Sequence, residues 1–497
     1  MTVSMNDYAN GFTATPDIEF KDSQAIDAFG RQRISAPYNL FDFKAITTRG
    51  HLIWEERLTG AIIVHGTVTG TFTVGDTFSG GTSGKKGTIT AVGAGSITYT
   101  TSNNDFTDGE TITILTGGSV GSAATITTHN TGADIVFNYD RSSVSLSLGT
   151  VSGQKVIRQT VRYMNYNPGY SQRIFTTQKY DIGKTNLKQT VMYGDDLNGL
   201  GFCLDGITFN IFKRSSVTGS VVNTYIPQSD WLDVMDGSGS DRNPSGIKLD
   251  VTKVSIQDID FQWLGVGRVR YALNINGNNV SFYEFDHANT TSSVYMKTPS
   301  LPVRYEIENT GTTASASSLE QICCSVTSEG GYLIPGFEAS AGNKFSAERA
   351  ITTRVPIFAV RLKSAFPSGE PNRRSVRYLT ANYSARLSDA SFELVHVHNP
   401  LTITADWIDN GESSAVEYST NISVLTADYM HTLDTLNLFS GQAGKGEATN
   451  VTSEFVNNHS FVSQNFESTN SQMFVVYATS RAGTADCAAN MSWIESD

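Results

Sequence analysis

Apolar residues return at every second position through stretch after stretch of this chain. Val269, Tyr271, Leu273 and Ile275 alternate with Arg268, Arg270, Ala272 and Asn274, and a period of two sends the two sets to opposite faces of a strand. The same alternation runs through GFCLDGITFNIFKR from Gly201, and through RVPIFAVRLKS, SFELVHVHNP, SAVEYSTNISVL and QMFVVYATS further on. The best helix candidate, Leu319–Ser325, reads equally as a strand. Only 17% of the residues are charged, and the frequent Thr, Val, Tyr and Phe suit half-buried pleated surfaces better than helices. The fold class is therefore all-β, with β-sandwich domains.

Composition shifts divide the 497 residues. Residues 1–45 are polar and irregular and read as an extended N-terminal arm, whose scattered aromatics need a neighbour to bury them. A first sandwich spans 46–335 and a second spans 336–497. Between 66 and 129 the chain is nearly all Gly, Thr, Ser, Val and Ile and repeats itself. FTVGDT at Phe72–Thr77, GGTSG at Gly80–Gly84 and TIT at Thr88–Thr90 are matched by FTDGET at Phe106–Thr111, GGSVG at Gly117–Gly121 and TIT at Thr125–Thr127. Each copy reads as a hairpin, so this segment is an inserted small β-repeat module. Asn276-Gly277 predicts a tight primed turn, and Gly265 and Gly267 mark a bulge or a close backbone approach.

A net charge of −12 leaves no basic stripe for nucleic acid. The basic cluster Arg373, Arg374 and Arg377, with Arg361 and Lys363 upstream, reads as a solvated loop or an interface patch. Four cysteines without a CxxC spacing read as free thiols in a reducing cytoplasm. No apolar run reaches membrane-spanning length, and MTVSMNDYANGF lacks the pattern of a signal peptide.

No catalytic, metal or cofactor site emerges. His396 and His398 share a strand face, but a metal needs more ligands. Asp195, Asp196 and Asn198, like Asp233 and Asp236, resemble pieces of calcium loops without the EF-hand pattern. They are equally ordinary turn residues. GGTSGKKG lacks the spacing of a phosphate loop. The carboxylates Glu284, Asp286, Glu306 and Glu308 show no converging pair of the kind glycoside hydrolysis needs. Trp263, with Arg268 and Arg270, suits either a sugar platform or a protein interface.

DAFGRQRISAPYNLFDF, Asp27–Phe43, resembles an N-terminal motif, D-x-F-G-R-x-R-V-S-x-P-x-x-L-F-D, of large structural proteins in tailed bacteriophages, especially marine ones. VIRQTVRYMNYNPGYSQRIFTT, Val156–Thr177, resembles the same family's Y-Q-P-G-K-S-Q element, with Asn167 and Tyr170 as departures. The most specific similarity lies in IDFQWLGVGRVRYALNINGN with YMKTPSLPVRYEI, whose strand order is similar to a laminin-G or concanavalin-like jelly roll. The resemblance covers most of 25–335 and implies a virion component assembled in the host cytoplasm, with the tail, baseplate or fibre-attachment apparatus as first expectation. Its partners would be copies of itself and other virion structural proteins. Phe29, Arg31, Arg33 and Phe41 of the arm, with Arg268 and Arg270, are the expected assembly residues. A host-glycan adhesin with Trp263 as platform is the alternative, followed by a capsid decoration or head-fibre protein and then a polysaccharide-degrading enzyme. No cofactor and no membrane insertion are expected.

Overall fold

The computed structural model describes residues 37–496 except 51, 103–104, 331–335, 344–347, 368, 439–446, 450–460, 467 and 469–470. The described residues are strands joined by turns and loops, with two short 3-10 turns. They divide into two compact units. One holds residues up to Thr160 together with Tyr166–Tyr332, and the other holds Val161–Asn165 together with Leu333–Asp497.

The first unit is a jelly-roll-like sandwich. Sheet A runs Asn278–Phe285, Val269–Ile275, Ser255–Phe261, Gln172–Lys179, Ser317–Ser328, Ser143–Leu148, Asp134–Asn138, with Tyr38–Lys44 also on Ser317–Ser328. Sheet B runs Val222–Pro227, Thr208–Ser215, Gly199–Asp205, Leu187–Gly194, Val303–Asn309, Lys155–Thr160, Trp54–His65 and continues into the inserted module. The alternation places side chains as read. Val269, Tyr271 and Leu273 are buried between the sheets, where Tyr271 Oη donates to the Phe212 carbonyl at 2.7 Å. Asn276 and Gly277 both take positive φ, 54° and 79°, and close the two-residue turn between Ile275 and Asn278, as a primed turn requires. Leu319–Ser325 lies wholly in a strand.

The end of the segment expected as arm is a strand of the sandwich. Tyr38–Lys44 pairs with Cys323–Ser328, the half of its partner strand that Ser143–Leu148 leaves open. Phe41 is 4% exposed and meets Trp54 edge-on at 6.0 Å. It is thus a core residue of its own sandwich and not an open assembly contact. The aromatics it needed are in the same chain. Phe29, Arg31 and Arg33 lie outside the described residues.

The inserted module is more than a pair of hairpins. The strands Trp54–His65, Ser96–Thr101, Lys86–Gly93, Thr77–Gly80, Thr111–Thr116 and Ala123–Gly132 pair in that order, and the last pairs back with the first. This is a closed six-stranded barrel, which removes free strand edges. Its core joins Ala61, Ile63, Phe78, Ile89, Ile97, Tyr99, Phe106, Ile112, Ile114 and Ile126. Gly87 is required there, because a Cβ would sit 2.7 Å from both the Phe78 and Tyr99 rings.

The repeat motif has a structural reason. Asp76 accepts from Thr73 N–H of its own copy (2.9 Å) and from Gly118 N–H in the glycine loop of the other (2.9 Å). Glu110, its counterpart, accepts from Thr107 N–H (2.7 Å) and, across the barrel, from Thr82 and Ser83 N–H (3.0 and 2.9 Å). Each acid caps its own turn and clasps the other copy's loop, so neither copy is complete alone.

The barrel begins inside Trp54–His65 rather than after it. Trp54–Thr59 pairs with Lys155–Thr160 in the sandwich, while Ala61–His65 is a barrel stave. Gly60 sits at the change with φ 77°, and its carbonyl accepts from Ala133 N–H and Gln154 Nε2, both at 3.3 Å. Entry and exit of the barrel are therefore adjacent. Excising 61–132 and joining Gly60 to Ala133 through one glycine should leave a cooperatively unfolding sandwich, which urea titration followed by circular dichroism would check. Excision also removes Asp105, a half-exposed partner of Arg49 at 2.7 Å, at a cost of about 1 kcal/mol or less. Cutting at 66–129 instead would strand Ala61 and Ile63, both 0% exposed in the barrel core, and should yield poorly soluble protein.

The second unit is another sandwich. One sheet runs Phe337–Gly342, Ala485–Ser496, Ser375–Arg386, Glu447–Thr449, with Arg349–Ile351 and Phe461–Val462 on its central strands. The other runs Ile408–Asp409, Val416–Ser419, Val355–Leu362, Met473–Ser480, Ala390–Ala405, Ile422–Leu438. The main core lies between them. Glu495, 0% exposed, is held by the Ser414 hydroxyl, Ala415 N–H at 2.6 Å and Trp493 Nε1 at 2.9 Å. The basic cluster is not loosely solvated. Arg373 lies over Tyr163 (4.8 Å) and Phe466 (5.1 Å), Arg361 over Trp407 (3.8 Å) while pairing with Glu417 (2.6 Å), and Lys363 pairs with Asp409 (2.5 Å).

Candidate functional site

The sequence points to the hairpin that starts at Asp260 and to the face of sheet A that its even-numbered residues occupy. Because strand register is set by partners far away in sequence, four charges meet in one cross-strand row. Arg173 stands opposite Asp260, Asp260 opposite Arg270, and Arg270 opposite Glu284. Opposite charges facing each other across strands stabilise a sheet. Two positions along, Asp258 accepts from Arg173 Nε (3.0 and 2.9 Å) and from Asn279 Nδ2 (2.7 Å). Arg270 reaches Asp260 at 3.3 Å and Glu284 at 3.9 Å, and Arg268 reaches Glu284 at 3.0 Å.

Arg173, Asp258, Asp260 and Arg270 are all buried. Arg270, 4% exposed, is therefore part of a dry ion lattice and not the open contact side chain expected of it. Arg268 is half-buried and points to the same face. The acids that matter chemically, Asp258 and Asp260, sit two apart on one strand face, and arginines hold both.

Trp263 follows this strand in a loop whose geometry the glycines set. Gly267 N–H donates to the Trp263 carbonyl at 2.7 Å, and a Cβ on Gly267 would lie 2.3 Å from the Gln262 carbonyl, so the close approach admits only glycine. Trp263 Nε1 donates to the Met296 carbonyl at 3.1 Å, and its backbone N–H donates to Tyr166 Oη at 3.0 Å. The indole is half-buried and pinned at both ends.

The same loops hold a group that sequence reading missed. His287 is 2% exposed and stacks on Tyr295 at 4.1 Å and 10°. Its Nδ1 lies 2.8 Å from the Gly267 carbonyl, and its Nε2 lies 2.9 Å from Lys213 Nζ. A carbonyl only accepts, so Nδ1 carries the proton and Nε2 offers its lone pair to the ammonium. The imidazole is neutral, and burial, with Lys213 beside it, holds its pKa below the ordinary value. Because the folded-state pKa is lowered, the stability from this contact is complete above about pH 6.5, the ordinary imidazole value. It is lost as pH falls from there toward the folded value. Lys213 and Asp286 are the charged groups that act on the ring. Urea midpoints measured from pH 8 to 5 should fall in the native chain over that window, and the step should be missing in His287→Gln.

The other candidates resolve into structure. Asp195 Oδ1 accepts from Leu197 and Asn198 N–H at 2.8 and 2.9 Å, and Asp196 pairs with Arg57 and Arg304. Asp233 accepts from Asn243 Nδ2 at 2.7 Å and Ser245 N–H at 3.1 Å. The carboxylates of these loops thus have protein partners. His396 and His398 lie 4.1 Å apart, with Gln472 Nε2 3.1 Å from His398 Nδ1. No group of three or more potential metal ligands occurs among the described residues. All four cysteines are free, and burial pushes the Cys203 thiol up to about 11. No helix among the described residues is long and apolar enough to cross a membrane.

No protein-family model matches the chain, and no curated protein matches it. Solved structures resemble part of it. The legume lectin-like domain from Entamoeba histolytica is 8% identical, with a TM-score of 0.24, covering 39% of this chain and 87% of that one. A glycosyl hydrolase family 16 protein from Mycobacterium smegmatis is 10% identical, with a TM-score of 0.26, covering 39% and 77%. The Emp47p carbohydrate recognition domain is 10% identical, with a TM-score of 0.25, covering 39% and 86%. These are β-sandwich folds, the class to which the strand order above assigns this chain.

Proposed function

We propose that this chain is a structural subunit of a tailed-phage virion, placed in the tail, baseplate or fibre-attachment apparatus, and that it works by assembling with copies of itself and with other virion proteins rather than by catalysis. The observation that carries this reading is the ion lattice on sheet A. The face that would have to supply catalytic carboxylates spends Asp258 and Asp260 on Arg173 and Arg270, and these pairs fix a surface's shape. A host-glycan adhesin is the second reading, supported by the pinned and half-buried indole of Trp263. Particles banded on a density gradient and washed in high salt should retain the chain in stoichiometric amounts by peptide mass spectrometry. Recovery only in the soluble lysate would overturn the proposal, and loss of host adsorption on Trp263→Ala with normal incorporation would favour the adhesin.

A further inference from the structure

The ammonium of Lys213 is unusually placed. Its polar contact is the neutral Nε2 of His287 at 2.9 Å, and the Phe285 and Tyr295 rings lie 5.2 and 5.8 Å away. No carboxylate makes an ion pair with it among the described residues. Most lysines on a folded surface stay fully protonated in water. This one is half-buried beside aromatic rings and a hydrogen-bond acceptor without charge. The acceptor is also fixed: Gly267 sets the tautomer of His287, and stacking on Tyr295 sets its plane.

We propose that Lys213 is a reactive amine that forms an imine with aldehydes, with His287 as the positioning base beside it. The Nζ lone pair attacks the aldehyde carbon and forms the C–N bond, while the carbonyl π pair moves to oxygen, which takes a proton. Loss of water from the carbinolamine then gives the imine. The proton that the starting ammonium surrenders is held on His287 Nε2 and returns to the carbinolamine hydroxyl as it leaves as water, so the imine forms in its protonated state. Burial lowers the basicity of Lys213, which enlarges its neutral fraction at physiological pH. This inference is independent of the assembly reading.

The test is competitive labelling of the full-length protein at pH 7.5 with limiting glycolaldehyde and cyanoborohydride, a hydride donor that traps the imine as a secondary amine. Peptide mass spectrometry then gives the rate at each lysine. Lys213 should be modified faster than the exposed Lys86, Lys248 and Lys253. His287→Gln should slow labelling of Lys213 relative to the native chain, with the far-UV spectrum unchanged. Labelling of native Lys213 at or below the exposed rate would overturn the proposal whether or not the variant folds. An unchanged rate in folded His287→Gln would remove the imidazole from it.

Discussion

Arg158→Ala should destabilise the first sandwich by roughly 3–5 kcal/mol. Arg158 is fully buried between the sheets. Its Nε donates to Gln321 Oε1 at 2.6 Å, and its two terminal nitrogens donate to Glu56 Oε1 and the Arg49 carbonyl. The guanidinium lies over Trp54 at 4.7 Å and Phe43 at 5.4 Å, so the strand Tyr38–Lys44 helps close the site above it. Truncation would leave Glu56, itself 5% exposed, with Arg49 Nε at 3.3 Å as its remaining cation. A buried carboxylate that loses its nearer cation, together with the Gln321 and Arg49 carbonyl acceptors left without their donor, makes the loss large. Urea unfolding of the single variant checks the size. Arg158→Met combined with Glu56→Leu should recover much of the loss, since an apolar pair carries no stranded charge.

Arg270→Ala should cost a similar amount, roughly 3–5 kcal/mol, by opening the lattice on sheet A. Asp260 would lose its partner at 3.3 Å and Glu284 its contact at 3.9 Å, in a row where Arg173 already serves Asp258. Arg270→Ala with Asp260→Ala should cost less than the sum of the two single changes, because each removes the other's reason for being paired. Arg270→Lys should not rescue fully, since a point charge does not reproduce the planar fork. Denaturation midpoints of the four proteins give the coupling directly. Any loss of assembly in Arg270→Ala should then track the loss of fold.

The contrast with the sequence shows which information is local. Period-two alternation placed Val269, Tyr271 and Leu273 inward, and Asn276-Gly277 announced its own turn, because both signals are carried by neighbours in the chain. The repeat of 66–129 was visible too, but not its closure. WEERLTGAIIVH reads as one strand, and nothing local says that Gly60 hands it from sandwich to barrel. The charge row was not legible at all. Arg173, Asp260, Arg270 and Glu284 come from four strands, and only register brings them level. Glu56 and Arg158 are harder still, since they hold inward positions that alternation reserves for apolar residues and each is tolerable only because the other is there. Lys213 and His287 belong with them, 74 positions apart and joined by a loop geometry that Gly267 allows.

Whether the chain is a building unit of a virion is decided by a cryo-electron microscopy map of the intact particle into which the first sandwich and its barrel are fitted as one body. Symmetry-related copies are expected in the tail, baseplate or fibre-attachment region, with sheet faces of the first sandwich against neighbouring subunits. A particle map completely accounted for by other chains, with no density for the six-stranded barrel on its sandwich, would contradict it.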